Sequence, residues 1–200
     1  ESVLEGMCDL NSTWLHIGIG NSSLAKRFAG RVGMIEGISI SPEEIAHAIR
    51  LGLPHYRVWL CKKYGQDFDY YPARYAVIID NNPSSHCCCR HHLLNYLCNV
   101  EKKLGGVYLT DKIGLEHAEP YAEGFTFEQF SELIAPLGLV FEKVNDTVYA
   151  MRKDPAVVAA EKIFGWMSHD ELVFLAAQAR KHETIIEIGP FQGRSTKALA

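Results

Sequence analysis

Hydrophobic and polar positions alternate in blocks between residues 13 and 152. Short apolar runs rich in β-branched and aromatic residues are separated by segments that start with helix caps and carry apolar residues at helical spacing. The predicted strands are residues 15–18, 32–41, 56–62, 75–80, 107–110, 139–144 and 147–152. The predicted helices are residues 24–28, 43–52, 86–104 and 127–137, with a loop at 65–74. This alternation predicts a mostly parallel sheet with helices on both faces.

Three local signals refine this prediction. Residues 75–80 are almost continuously apolar, as is typical of a central parallel strand that is buried on both faces. Gly105 and Gly106 follow the long helical segment and are interpreted as its C-cap. The polar turn at Asn145 and Asp146 joins the last two strands in a hairpin, which places one antiparallel strand in the sheet.

Two segments repeat the pattern of an apolar run, glycines and a helix start. The first glycine loop contains Gly18 and Gly20, and the second contains Gly189 and Gly193. A strand, a glycine loop and a helix open nucleotide-binding α/β domains. We therefore expect one whole domain at residues 1–153. Residues 154–200 are predicted to hold helices at 156–166 and 170–182 and a strand at 184–188, as the opening of a second domain.

Composition narrows the function classes. The net charge of -4 disfavours a nucleic-acid surface, which is normally basic. No apolar stretch approaches the roughly 20 residues that span a bilayer, and the acidic first residues lack the apolar core of a signal peptide. Three of the six cysteines are consecutive, which suits no small disulfide framework. We expect a cytoplasmic protein with reduced cysteines, a small-molecule substrate, and neither nucleic acid nor membrane as partner; homo-oligomer formation stays open.

The layout of residues 13–152 resembles the class I S-adenosylmethionine-dependent methyltransferases. The resemblance is carried by the glycine–glycine–strand–acid segment 105–111, the strand 76–80 and the closing hairpin around 138–141, and residues 187–196 are similar to the first motif of small-molecule O-methyltransferases. It implies an α/β fold with a Rossmann-like, doubly wound, seven-stranded sheet, mostly parallel with an antiparallel last strand. It also implies S-adenosylmethionine as cofactor and methyl transfer to a small molecule.

The resemblance implies a set of cofactor-binding residues: His16, Gly18, Gly20, Asn21, Ser39 and Asp80, and in the second copy Glu187, Gly189 and Gly193. The family usually has acids where His16 and Ser39 stand. A carboxylate at the second of these positions would accept charge-assisted bonds from two ribose hydroxyls, whereas a serine makes one weaker bond. These departures support an alternative, in which a degenerate methyltransferase-like domain of a tandem protein serves as a scaffold or interaction module without cofactor.

Three residues are candidate bases, should the acceptor have to lose a proton. Asp80 and Asp111 end neighbouring strands, where open α/β sheets bind ligands, and His86 follows the same edge. Capping of the following loops is the other interpretation of the two acids. A dinucleotide-dependent oxidoreductase is disfavoured because Ser23 stands where the third glycine of its motif is expected.

The run from His86 to His92 contains three cysteines and three histidines, the usual ligands of zinc. On one continuous helix these side chains spread around the circumference, and only pairs such as Cys88 and His92 share a face. The sequence therefore predicts no metal site, and small cysteines that face the sheet.

Overall fold

The computed structural model describes residues 2–69, 74–117 and 124–200. The strands are β1 Thr13–Ile17, β2 Met34–Ser39, β3 Tyr56–Leu60, β4 Tyr75–Asp80, β5 Leu104–Asp111, β6 Leu139–Lys143 and β7 Val148–Lys153. The helices are α1 Ser2–Glu5, α2 Ser23–Phe28, α3 Pro42–Arg50, α4 Gln66–Asp69, α5 Arg90–Lys103, α6 Lys112–Glu116, α7 Phe127–Ile134, α8 Pro155–Glu161, α9 His169–Ala179 and α10 Arg194–Leu199.

The strands form one seven-stranded sheet in the order β3-β2-β1-β4-β5-β7-β6. Strand β1 lies in the interior of the sheet and pairs in parallel with β2 on one side and β4 on the other, so that Ile17 is level with both Ile38 and Asp80. The sheet is mostly parallel, with antiparallel strands at its β7-β6 end. The predicted Rossmann-like fold is confirmed.

The chain divides into two compact units, called here the first and the second unit. The first comprises residues 1–124 and 143–150, and the second comprises residues 125–142 and 151–200. Buried Trp14, Phe28 and Ile35 belong to the core of the first unit. Val157 and Leu172 belong to the core of the second. The domain boundary predicted between residues 153 and 154 stays a prediction.

The long helix predicted at 86–104 begins four residues later, at Arg90. The preceding residues are not helical, because His86 has a φ of 61° and Cys89 is extended. The glycines interpreted as its C-cap are instead part of β5. A Cβ on Gly105 would lie 3.0 Å from the carbonyl oxygen of Tyr75, and one on Gly106 would collide with a neighbouring β4 carbonyl. These glycines therefore let β5 approach β4 closely.

The strand predicted at 184–188 is wrong, since these residues form no strand in the structure. The side chains of Ile186 and Ile188 are 85% and 94% exposed. In the first unit, β1 is held by pairing on both sides, and no such pairing reaches this segment within the described residues. The two helices predicted before it are present as the shorter α8 and α9.

Two further predictions concern individual segments. The loop predicted at 65–74 contains the short helix α4, and residues 70–73 lie outside the described residues. Within the described part of the chain, no helix is both long and apolar enough to cross a bilayer.

Candidate functional site

A cavity of about 500 Å³ lies in the first unit where the first four strands end. Its walls come from residues 17, 18 and 20 after β1, 38–41 and 44 after β2, 61–64 after β3, and 80–82, 85 and 86 after β4. The neighbouring strands β1 and β4 mark the point where the strand order reverses. Ligands of open α/β sheets bind outside the carboxyl ends of the strands at this reversal. The volume falls in the range of roughly 300–1,000 Å³ that is typical of small-molecule sites.

The first glycine loop forms one wall of the cavity. Gly18 and Gly20 have φ angles of 75° and 50°, which glycine adopts without the steric cost of a side chain. A Cβ on either would meet nothing within 4 Å, so the backbone faces open space. Asn21 instead accepts the backbone N–H of Ser23 at 3.1 Å and does not line the cavity. The structure thus brings both predicted glycines, but not Asn21, to the site.

A carboxylate stands at the end of β2 although the sequence has serine there. Ser39 donates its hydroxyl to Glu44 Oε2 at 2.5 Å, and both residues line the cavity. Ser39 Oγ also accepts the backbone N–H of Ser41 at 3.0 Å. Glu44 is the third residue of α3, so the turn after β2 carries its carboxylate back to the strand end. The sequence analysis predicted only a helix over these residues and missed this position of the Glu44 carboxylate.

His16 stands at the other position where the sequence departs from the family pattern. Its side chain is buried, and its Nδ1 has no hydrogen-bond partner among the described residues. Burial lowers the pKa of His16 to about 4, against the opposing effect of the Asp80 and Glu44 carboxylates. The imidazole is therefore neutral at pH 7. His16 does not itself line the cavity, and its predicted contact with cofactor stays a prediction.

Asp80 anchors a hydrogen-bond network at the end of β4. Its carboxylate accepts Lys63 Nζ at 2.8 Å, the Tyr96 hydroxyl at 2.6 Å and the backbone N–H of Asn82 at 3.1 Å. The side chain of Asp80 is almost fully buried. A carboxylate offers about four acceptor positions, so most of them are taken. The geometry therefore favours a structural role for Asp80, and its predicted role as a base stays a prediction.

Lys63 and two tyrosines complete the network on the β3 side. The Lys63 ammonium lies 5.3 Å from the ring centres of both Tyr64 and Tyr96, within the range of cation–π attraction. The two rings meet edge to face at 5.4 Å. Burial raises the pKa of both hydroxyls, so both stay protonated, and Tyr64 donates to the carbonyl of Pro83. Sequence reasoning missed Lys63, because nothing local links it to Asp80.

The other two candidate bases differ in position. His86 lines the cavity, so the structure places it beside the predicted glycines. Asp111 is the N-cap of α6, accepts the backbone N–H of Gly114 at 2.7 Å, and does not line the cavity. Capping accounts for Asp111, whose catalytic role stays a prediction.

The predicted residues of the second copy belong to the second unit. Glu187 accepts the hydroxyls of Ser195 and Thr196 at the start of α10. Gly189 and Gly193 have φ angles of 73° and 78°. The loop conformation thus forms without a strand before it, and cofactor binding by these residues stays a prediction.

The prediction that the consecutive cysteines face the sheet is wrong. Cys88 and Cys89 are exposed and Cys87 is partly buried, because these residues precede α5 instead of lying within it. The backbone N–H and the ring of His92 hold the pKa of the Cys89 thiol at about 7. Burial has the opposite effect on Cys61 in the cavity wall and raises the pKa of its thiol to about 11.

Comparison with solved structures identifies the fold. No model of a known protein family matches the sequence, and no curated protein matches it. A TehB-like SAM-dependent methyltransferase from Corynebacterium glutamicum aligns with a TM-score of 0.59 at 15% identity, over 76% of this chain and 85% of that one. The DhpI–SAH complex aligns with a TM-score of 0.58 at 16% identity, over 76% of this chain and 82% of that one.

A third neighbour is magnesium protoporphyrin IX methyltransferase (ChlM) from Synechocystis PCC 6803 with bound SAM. It aligns with a TM-score of 0.55 at 11% identity, over 76% of this chain and 74% of that one. At such low identities the agreement concerns the fold. The chain therefore has the fold of the class I S-adenosylmethionine-dependent methyltransferases.

Proposed function

We propose that the cavity of the first unit binds S-adenosylmethionine and that the protein transfers its methyl group to a small-molecule acceptor. One observation carries the proposal: Glu44 supplies a carboxylate at the end of β2, in the same cavity as the first glycine loop. Solved structures with this fold include one with SAH and one with bound SAM.

The donor groups of the cavity fit the parts of this cofactor. Gly18 and Gly20 leave backbone exposed to open space, which suits the amino-acid part of the cofactor. The Glu44 carboxylate would accept hydrogen bonds from the ribose hydroxyls, and such charge-assisted bonds are about twice as strong as neutral ones. Neutral His16 adds no positive charge that would repel the sulfonium.

When bound, the cofactor supplies an electrophilic methyl group on a sulfonium. The protein then needs chiefly to hold donor and acceptor in line, since positioning accounts for a large part of the barrier reduction in such displacements. The hydrogen bonds from Lys63 and Tyr96 hold the Asp80 carboxylate at the end of β4 beside the cavity. His86 is the candidate base for an acceptor that must lose a proton, since it lines the cavity.

The scaffold alternative rests on the missing acids at His16 and Ser39. The argument from Ser39 is weakened, because the Glu44 carboxylate is present at the position where Ser39 suggested none. The buried, neutral His16 remains the observation in its favour.

Calorimetric titration of the whole 200-residue chain tests the proposal, with S-adenosylmethionine and S-adenosylhomocysteine injected separately. We expect one site per chain and dissociation constants on the order of micromolar for both ligands. A folded protein, verified by circular dichroism, that binds neither ligand would overturn the proposal and favour the scaffold.

A further inference from the structure

Two cysteines and a histidine converge just before and within the first turn of α5. Cys88, Cys89 and His92 form a group of metal-ligating side chains whose ligand atoms all lie within 4.8 Å of one another. Nδ1 of His92 is 3.0 Å from Sγ of Cys88 and 3.1 Å from Sγ of Cys89. The two sulfurs are 3.9 Å apart. We call these three residues the cysteine cluster.

The start of α5 explains why the three side chains meet. Cys89 is the N-cap and has an extended backbone, with φ of -170° and ψ of 162°. Cys88 therefore lies outside the helix, and the helical circumference does not separate it from Cys89. His92 is the third helical residue and lies on the same face as the cap. A continuous helix from residue 86 would have separated the consecutive Cys88 and Cys89 around the circumference, which is why the sequence predicted no site.

The spacing of the ligand atoms agrees with tetrahedral zinc. Bonds of about 2.3 Å to sulfur and about 2.0 Å to nitrogen imply a sulfur–sulfur distance of about 3.8 Å and sulfur–nitrogen distances of about 3.5 Å. The observed sulfur separation of 3.9 Å already matches. The two sulfur–nitrogen distances must open by about 0.5 Å, which exposed side chains achieve by small rotations.

We propose that Cys88, Cys89 and His92 bind a zinc ion through two sulfurs and one imidazole nitrogen, with the fourth position open to solvent. Binding releases the two thiol protons, and two thiolates then neutralise the charge of Zn²⁺. All three side chains are exposed, so the ion reaches them without a change in the core. The site is separate from the cavity residues and does not depend on methyl transfer.

Competition with a chromophoric zinc chelator tests this site on the whole chain, in a buffer with a reductant that does not bind metal. We expect one zinc ion per chain, bound at least about a hundredfold more tightly by the native protein than by Cys88→Ser/Cys89→Ser. Cys98→Ser is the matched control, because Cys98 lies on the same helix but outside the cluster. That variant should bind zinc like the native protein.

Substitution by Co²⁺ gives a second measurement that distinguishes the cluster from stray histidines. Thiolate ligation produces sulfur-to-cobalt charge-transfer absorption in the near ultraviolet, and this absorption should vanish in the double serine variant. Equal zinc affinity in the native and double-serine proteins, or Co²⁺ binding without the charge-transfer bands, would overturn the proposal. The substitutions are at exposed positions, so folding is expected to persist, as circular dichroism would show.

Discussion

The two glycine loops share a local conformation but differ in the structure that precedes them. In both, two glycines adopt positive φ angles and a helix follows, α2 in the first unit and α10 in the second. Before Gly18 lies β1, which is paired on both sides and buried. Before Gly189 the chain forms no strand and exposes Ile186 and Ile188.

This difference shows which part of the motif is encoded locally. The glycines set the turns of both loops by themselves, because their freedom at positive φ acts locally. A strand needs backbone partners from other parts of the chain. The cavity also needs these partners, since its walls come from the ends of four strands. Our proposal therefore places the ligand at the first loop, where these strand partners are present.

The largest effect is expected when one apolar side chain is truncated in the segment before each glycine loop and the two losses of stability are compared. Trp14 is fully buried in β1 and packs on Phe28 with ring centres 5.5 Å apart. Trp14→Ala should lower the free energy of unfolding by about 3–5 kcal/mol, as large-to-small core changes do. Ile188→Ala, at a 94% exposed position, should change it by less than about 0.5 kcal/mol. Urea unfolding followed by circular dichroism measures both, and equal losses would break the contrast.

His16, which lies two positions before Gly18, should make the stability of the first unit depend on pH. The pKa of His16 is about 4 in the folded protein against an ordinary value of 6.5, chiefly because of burial. Between pH 6.5 and 4 the imidazole of His16 is protonated in the unfolded chain but stays neutral in the folded protein. The free energy of unfolding is therefore at its full value above pH 6.5 and falls as the pH is lowered towards 4. The loss amounts to about 3 kcal/mol.

Urea unfolding at several pH values measures this loss. His16→Gln should flatten the dependence between pH 6.5 and 4, because glutamine does not titrate. His182→Gln, which changes an exposed histidine of the second unit, should leave the dependence as it is in the native protein. A profile in the His16 variant as steep as in the native protein would show that this imidazole is not buried in its neutral form.

Two adjacent glutamates on α3 sharpen the assignment of the cavity and should give the smallest effect. Glu44 lines the cavity and accepts the hydroxyl of Ser39, whereas Glu43 is exposed, accepts the hydroxyl of Ser41 and does not line the cavity. Glu44→Gln should weaken S-adenosylmethionine binding by about tenfold or more, because it replaces charge-assisted bonds to the ribose by neutral ones. Glu43→Gln should stay within about twofold of the native value. Calorimetry that finds equal affinities would remove Glu44 from the site.

Features set by local sequence were predicted well. The strand Tyr75–Asp80 was predicted with the bounds that the structure shows, because a continuous apolar run followed by a polar loop is a local signal. The helix predicted at 43–52 is present as α3, with a serine N-cap and a proline at its first position, which are local helix-start signals.

Features set by distant partners were missed or misassigned. Gly105 and Gly106 were interpreted as a helix C-cap, yet they lie in β5. The neighbouring strand leaves no room for a Cβ at these positions, and this distant contact is what requires glycine there. The Glu44 carboxylate reaches Ser39 only because α3 turns back along β2. In the candidate site, the sequence thus indicated the two glycines, Ser39, Asp80 and His86, all of which line the cavity. The Glu44 carboxylate and Lys63 required the folded chain.

The most direct test of the account places the same change in each glycine loop and titrates S-adenosylmethionine into both variants. Gly20→Val and Gly189→Val each put a β-branched side chain at a positive φ, so both variants carry backbone strain, but only Gly20 lines the cavity. We predict a loss of at least about a hundredfold in affinity for Gly20→Val and native affinity for Gly189→Val, a difference of about 2.7 kcal/mol. Native affinity in a folded Gly20→Val protein would contradict the assignment of the cofactor to the first loop.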